Sequence, residues 1–150
     1  MRHTRLTSSP LSLAVFAGFV ALGIAVNDGF VPSARTVPAL LLIAVGLFGV
    51  TSSVRDRPID ALRSAARRWW ALAFVAFLPY ALATAPSSER ADAVGDVLSG
   101  PVATAALEAV AGAAVLAAVS VTVLYWFATY GIHPGRPTPE ERVLNENREE

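Results

Sequence analysis

Glu108 is the lone acid in a long apolar run and Pro79 interrupts another. With the hydroxyls of Ser120 and Thr122, they are the residues whose type and position could do chemistry inside a membrane. An ionisable side chain in hydrocarbon costs at least about 2.5 kcal/mol and is rarely kept without use, so Glu108 could serve as a cation or proton group at the mouth of a pore. By length, however, it falls about two turns after Pro101, near the start of its helix, where the positive end of the macrodipole favours a carboxylate. The interfacial reading of Glu108 is the preferred one. Pro79 cannot donate to the Val75 carbonyl, which predicts a kink. Broken helices near the midplane form substrate sites in transporters when polar partners surround the break. Here the partners are Ser120, Thr122 and Tyr80, all able to bond backbone locally, so a structural kink is the simpler expectation.

The remaining chemistry is sparse. His3 and His133 lie in opposite termini with no third ligand at helical spacing, which argues against a metal site. Cysteine is absent, which excludes disulfides, thiolate ligands, c-type haem attachment and cysteine nucleophiles. There is no glycine-rich phosphate loop, Gly-x-Ser-x-Gly elbow or His-Glu-x-x-His helix. No acid–base pair or cofactor site can be assembled from these residues, so the expectation is a protein that is not an enzyme and carries no cofactor.

The elements that hold these residues are apolar. The 150 residues are 54% hydrophobic and 16% charged, with mean hydropathy +0.50, whereas an average soluble domain has about a quarter charged residues. Roughly 18 or more apolar residues cross a bilayer as a helix. The expected fold is all-α: a four-helix transmembrane domain over residues 11–130, with spans at about 11–30, 38–54, 69–85 and 105–130. These form two hairpins, the first span with the second and the third with the fourth, flanked by a terminus at 1–10 and a mobile tail at 131–150.

Short amphipathic connectors complete this picture. Ile59, Leu62, Ala66 and Trp69 share one helical face and Asp60, Arg63, Ser64 and Arg67 another, which predicts a lead-in lying along the headgroups before the third span. Residues 87–98 carry cap-type serines and early acids, the marks of a short interfacial helix. The last apolar stretch runs from Pro101 to Tyr130, roughly 45 Å against about 30 Å of hydrocarbon, so its first turns must project or the helix must tilt. Gly131 is placed to cap it. The first span also has the basic start and small residues of a signal peptide, but Leu11 to Val26 is long for an apolar signal core of about 7–15 residues, which favours retention.

All 12 basic residues are Arg, and their distribution gives an orientation. Two precede the first span, five follow the second and three lie in the tail, while Arg35 and Arg90 stand alone in the other two loops. Because basic residues mark the cytoplasmic side, ten against two predicts a multi-pass protein of the cell membrane with both termini cytoplasmic. Trp69, Trp70, Tyr125, Trp126 and Tyr130 fall at the same interface, where amphipathic rings are favoured. Arg63, Arg67 and Arg68 could attract anionic headgroups at about 1 kcal/mol each, although topology alone explains them equally well. The arginines form no basic face of a soluble domain, so nucleic acid is not an expected partner.

Small residues recur at four-residue spacing: Ala17, Ala21 and Ala25 in the first span, and Ala105, Ala109, Ala113 and Ala117 in the last. Such rows let helix backbones approach where lipid leaves little hydrophobic drive between helices. The function this favours is a non-enzymatic accessory or scaffold component working through helix packing, with the lipid bilayer, a membrane-protein partner or a second copy as its contacts. The alternative is a small transporter or channel subunit using Pro79, Glu108, Ser120 and Thr122.

Overall fold

Helix boundaries in the computed structural model, which describes residues 10–27 and 32–131, fall where prolines, glycines and capping hydroxyls place them. Five helices form: α1 (Pro10–Val26), α2 (Thr36–Val54), α3 (Ile59–Thr84), α4 (Glu89–Leu98) and α5 (Pro101–Thr129). Before α2, the Ser33 backbone N–H donates to Thr36 Oγ1 at 2.9 Å. Pro58 precedes α3 in an extended conformation. The Ser88 hydroxyl accepts from the Ala91 N–H at 3.3 Å and caps α4, satisfying one of the donors a helix start leaves open. Gly100, at φ +141°, turns the chain into α5, and Gly131, at φ +77°, ends it. Such angles favour glycine because a Cβ would clash. The expected mobile tail and the outer end of the first span at 28–30 lie outside the described residues.

α5 is the central helix, touching α1, α2 and α3, while α2 packs on α1 and α4 on α3. The α1–α2 pair is antiparallel: Gly23 meets Ala39 and Ile43, Gly46 meets Val20, and Gly49 meets the ring of Phe16. A cluster at one end joins Val50 and Val54 of α2, Leu62 and Ala66 of α3, and Val121 and Ala128 of α5, with Leu13 and Phe16 of α1 against it. Taken in chain order, α1, α2, α3 and α5 therefore alternate in direction. The same end gathers Arg55, Arg57, Arg63, Arg67 and Arg68, because the short α2–α3 turn lies there.

Two helices, α2 and α5, are long and apolar enough to cross a membrane, and α3 with α4 passes the same test as a pair bent by 101°. The count is thus two or three, against the four spans expected. α1 has 17 residues, about 26 Å at 1.5 Å per residue, short of a hydrocarbon core of about 30 Å. In α3, Arg67 and Arg68 leave an apolar stretch of only Trp69 to Thr84. α5 has 29 residues, about 44 Å, and exceeds the hydrocarbon as expected.

The lead-in at 59–68 is corrected by the structure. It is not a separate short helix but the first part of a continuous α3 that runs on through Pro79. Leu62 is 1% exposed and Ala66 8%, because these two and part of Trp69 pack on the ends of α2 and α5, while Ile59 of the same face stays exposed.

Candidate functional site

The four polar candidates are not brought together. Ser120 Oγ donates to the Leu116 carbonyl at 2.8 Å and Thr122 Oγ1 to the Ala118 carbonyl at 2.7 Å, each within its own helix. Thr122 Oγ1 also accepts from the indole Nε1–H of Trp70 on α3 at 3.1 Å. Pro79 is half-buried and Glu108 exposed. Glu108 lies fourteen residues before Thr122 on one straight-numbered helix, about 21 Å away along the axis. Tyr80, the remaining expected partner of the break, faces the Phe77 ring at a centroid distance of 5.8 Å. Among the described residues no buried side chain is polar or charged, and no group of three or more His, Asp and Glu is placed to hold a metal ion.

The hydroxyls near the end of α2 follow the same local pattern. Thr51 donates to the Leu47 and Phe48 carbonyls, and Ser52 and Ser53 both donate to the Gly49 carbonyl. In an apolar surrounding a hydroxyl without a partner is costly, and a carbonyl three or four residues earlier is always within reach. These groups are consumed by their own backbone and offer little to a substrate.

The small residues behave unequally. Ala109 and Ala113 of α5 are each 4% exposed and Ala117 is fully buried, while Ala105 in the same row is exposed. On α1, Ala17 and Ala21 are half-buried and Ala25 is exposed, so the α1 row is not a continuous contact face. Its contact with α2 is made by Phe16, Val20 and Gly23. The expectation overlooked Gly46 and Gly49 of α2, both buried. A methyl at Gly46 would lie 2.7 Å from the Phe16 carbonyl oxygen and 2.9 Å from the Val20 nitrogen, so the backbones meet there because no side chain intervenes. The signal was available as two glycines three apart within one apolar run.

A groove runs between α1 and α3, with α5 as its floor. Its apolar part, about 390 Å³, is lined by Ala17, Gly18 and Ala21 of α1, Leu72 and Ala76 of α3, and Val110 and Ala113 of α5. A second hollow of about 440 Å³ at the arginine end is lined by Arg57, Ser64, Arg68 and Val54. Leu13, Trp69 and Leu72 line both, so the two are adjacent. Ala17 and Ala21 of the α1 row thus form part of a wall of this groove, and Ala25 does not.

Among the described residues the geometry defines an all-helical protein with two or three helices long and apolar enough to cross a membrane, and an apolar hollow beside one lined by arginines. Compared with family models, curated proteins and solved structures, the chain matches none.

Proposed function

We propose that this chain is a small integral protein of the cell membrane in which α1, α2, α3 and α5 cross as a four-helix bundle, with α4 on the outer surface. Both termini and the α2–α3 turn then lie in the cytoplasm. Its role is that of a non-enzymatic accessory or scaffold component acting through helix packing. The observation that carries this reading is the interior itself: the described core is Ala, Val, Leu and close-packed Gly, with every buried side chain apolar. A transport path needs polar or ionisable groups between the helices.

Further support comes from the surface. Leu40, Leu41, Val45 and Phe48 form one exposed face of α2, and Phe74, Val75 and Leu78 another on α3. Faces of this kind meet lipid or the helix of a partner. The shortness of α1 and of the apolar part of α3 is accommodated by local thinning of the bilayer and by extension of flanking arginines to the interface, each at modest cost.

Topology and role are tested together in intact cells and liposomes. Cysteines introduced as Ser64→Cys and Thr138→Cys should be shielded from an impermeant reagent, and Ser33→Cys and Ser88→Cys labelled. Labelling of Ser64→Cys from outside would overturn the four-span arrangement. A specific ion or solute flux in reconstituted liposomes would replace the scaffold reading by the transporter.

A further inference from the structure

We propose that the apolar belt of this bundle is matched to a bilayer thinner than the usual one, so that the lipids it fits are those with short acyl chains. The proposal rests on the four-span reading above and adds to it the class of lipid that the chain prefers.

Register across the helices fixes one common level. Trp70 of α3 bonds Thr122 of α5, and fourteen residues from that bond, along each of these antiparallel helices, lie Thr84 and Glu108. With the same rise per residue in both helices, Thr84 and Glu108 stand side by side. The end of α1 reaches the same height. A Cβ added at Gly112 of α5 would lie 2.8 Å from Ile24 Cδ1, which puts Val26, the last residue of α1, within one turn of Glu108. A Cβ added at Gly23 would lie 2.7 Å from the Ala39 carbonyl oxygen, which brings the start of α2 at Thr36 beside the end of α1.

Three helix ends and one exposed carboxylate thus share the level opposite the arginines. A helix end leaves backbone groups open, and hydrocarbon accepts neither open backbone groups nor a free carboxylate without cost. This level is therefore the outer limit of the belt. The inner limit is set by Arg68 of α3 and Tyr125 of α5, which flank the Trp70–Thr122 bond on its other side, and by the hydroxyls at 51–53 of α2.

Between these limits lie residues 11–26, 37–50, 69–83 and 109–124, each about 21–24 Å long at 1.5 Å per residue. A usual hydrocarbon core is about 30 Å thick, so all four helices fall short together. Tilting would widen the gap, since a tilted helix spans less. Arginine can extend to a more distant interface at the inner limit, but the helix ends at the outer limit have no such reach. A thinner bilayer removes the mismatch on every helix at once.

The full chain is reconstituted into vesicles of dimyristoleoyl-, dioleoyl- or dierucoyl-phosphatidylcholine, whose acyl chains lengthen in that order under a constant headgroup. Thermal unfolding, followed by tryptophan emission, should come at the highest temperature in dimyristoleoyl vesicles and fall by several degrees with each longer lipid. The chain has no cysteine, so a nitroxide can be attached at one introduced site. In dimyristoleoyl vesicles a label on Glu108→Cys should be open to a water-soluble relaxant, and one on Val119→Cys, an exposed position inside the belt, shielded from it.

Greatest stability in dioleoyl or dierucoyl vesicles, or none of this dependence on chain length, would overturn the match to a thin bilayer and leave the four-span reading standing. A label at Glu108 as shielded as one at Val119 would do the same. A label at Val119 open to the relaxant in all three vesicles would overturn the membrane reading and the belt with it.

Discussion

Trp70 on α3 donates its indole N–H to Thr122 Oγ1 on α5 at 3.1 Å, a side-chain bond between two antiparallel helices. Thr122 at the same time donates to the Ala118 carbonyl, so its hydroxyl hydrogen is used within α5 and its oxygen accepts from Trp70. Hydrogen bonds between membrane helices contribute on average about 0.6 kcal/mol in double-mutant cycles. Trp70→Phe and Thr122→Val should each lower stability in detergent, and the pair should show a coupling of about 0.6 to 1 kcal/mol. A coupling of zero would mean that the indole finds another partner.

Gly46 and Gly18 should respond oppositely to the same change. At Gly18 the added methyl has open space, and replacing a mid-helix glycine by alanine gains about 0.5–1 kcal/mol. At Gly46 it would press on the backbone of α1, at Phe16 and Val20, where overpacking typically costs about 1–3 kcal/mol. Gly18→Ala should therefore raise the unfolding temperature and Gly46→Ala lower it, as read by thermal melts in one detergent.

Ala117 and Ala105 offer the same contrast within one row of α5. Ala117 is fully buried beside the cluster that joins α2, α3 and α5, whereas Ala105 is exposed. Ala117→Leu should destabilise by about 1–3 kcal/mol and Ala105→Leu should be nearly neutral. If both are neutral, the row is a matter of composition and the packing argument for a scaffold fails.

Glu108→Gln should do little. The carboxylate is exposed and has no charged neighbour across the bundle within the described ion pairs, so insertion and thermal stability should stay within about 1 kcal/mol of the parent. A large drop in stability, or a cation flux lost on substitution, would place Glu108 in a buried path.

Much of the helical framework was legible from residue types alone, because local rules suffice for it. Ser88 reads as a cap and serves as one, Gly131 ends α5 with positive φ, Pro101 opens the longest helix, and that helix exceeds the bilayer as its apolar length requires. The arginines of the α2–α3 turn were equally plain as a cluster in the chain.

Only the tertiary structure decided which faces meet. In a helix that is apolar all round, periodicity assigns residues to common faces but no polar side marks which one points inward, and lipid is as apolar as a core. Hence Ala25 could be grouped with Ala17 and Ala21 and yet stand exposed, while Gly46 and Gly49 carried the closest helix contact. Leu62 and Ala66 could equally have lain on headgroups, and the packing of α3 against the ends of α2 and α5 placed them in the core. The convergence of Arg57 and Arg68 on one opening, with Arg63 and Arg67 left outside it, depends on how α3 is rotated against α5. That rotation is set by contacts distant in the chain, Trp70 with Thr122 among them.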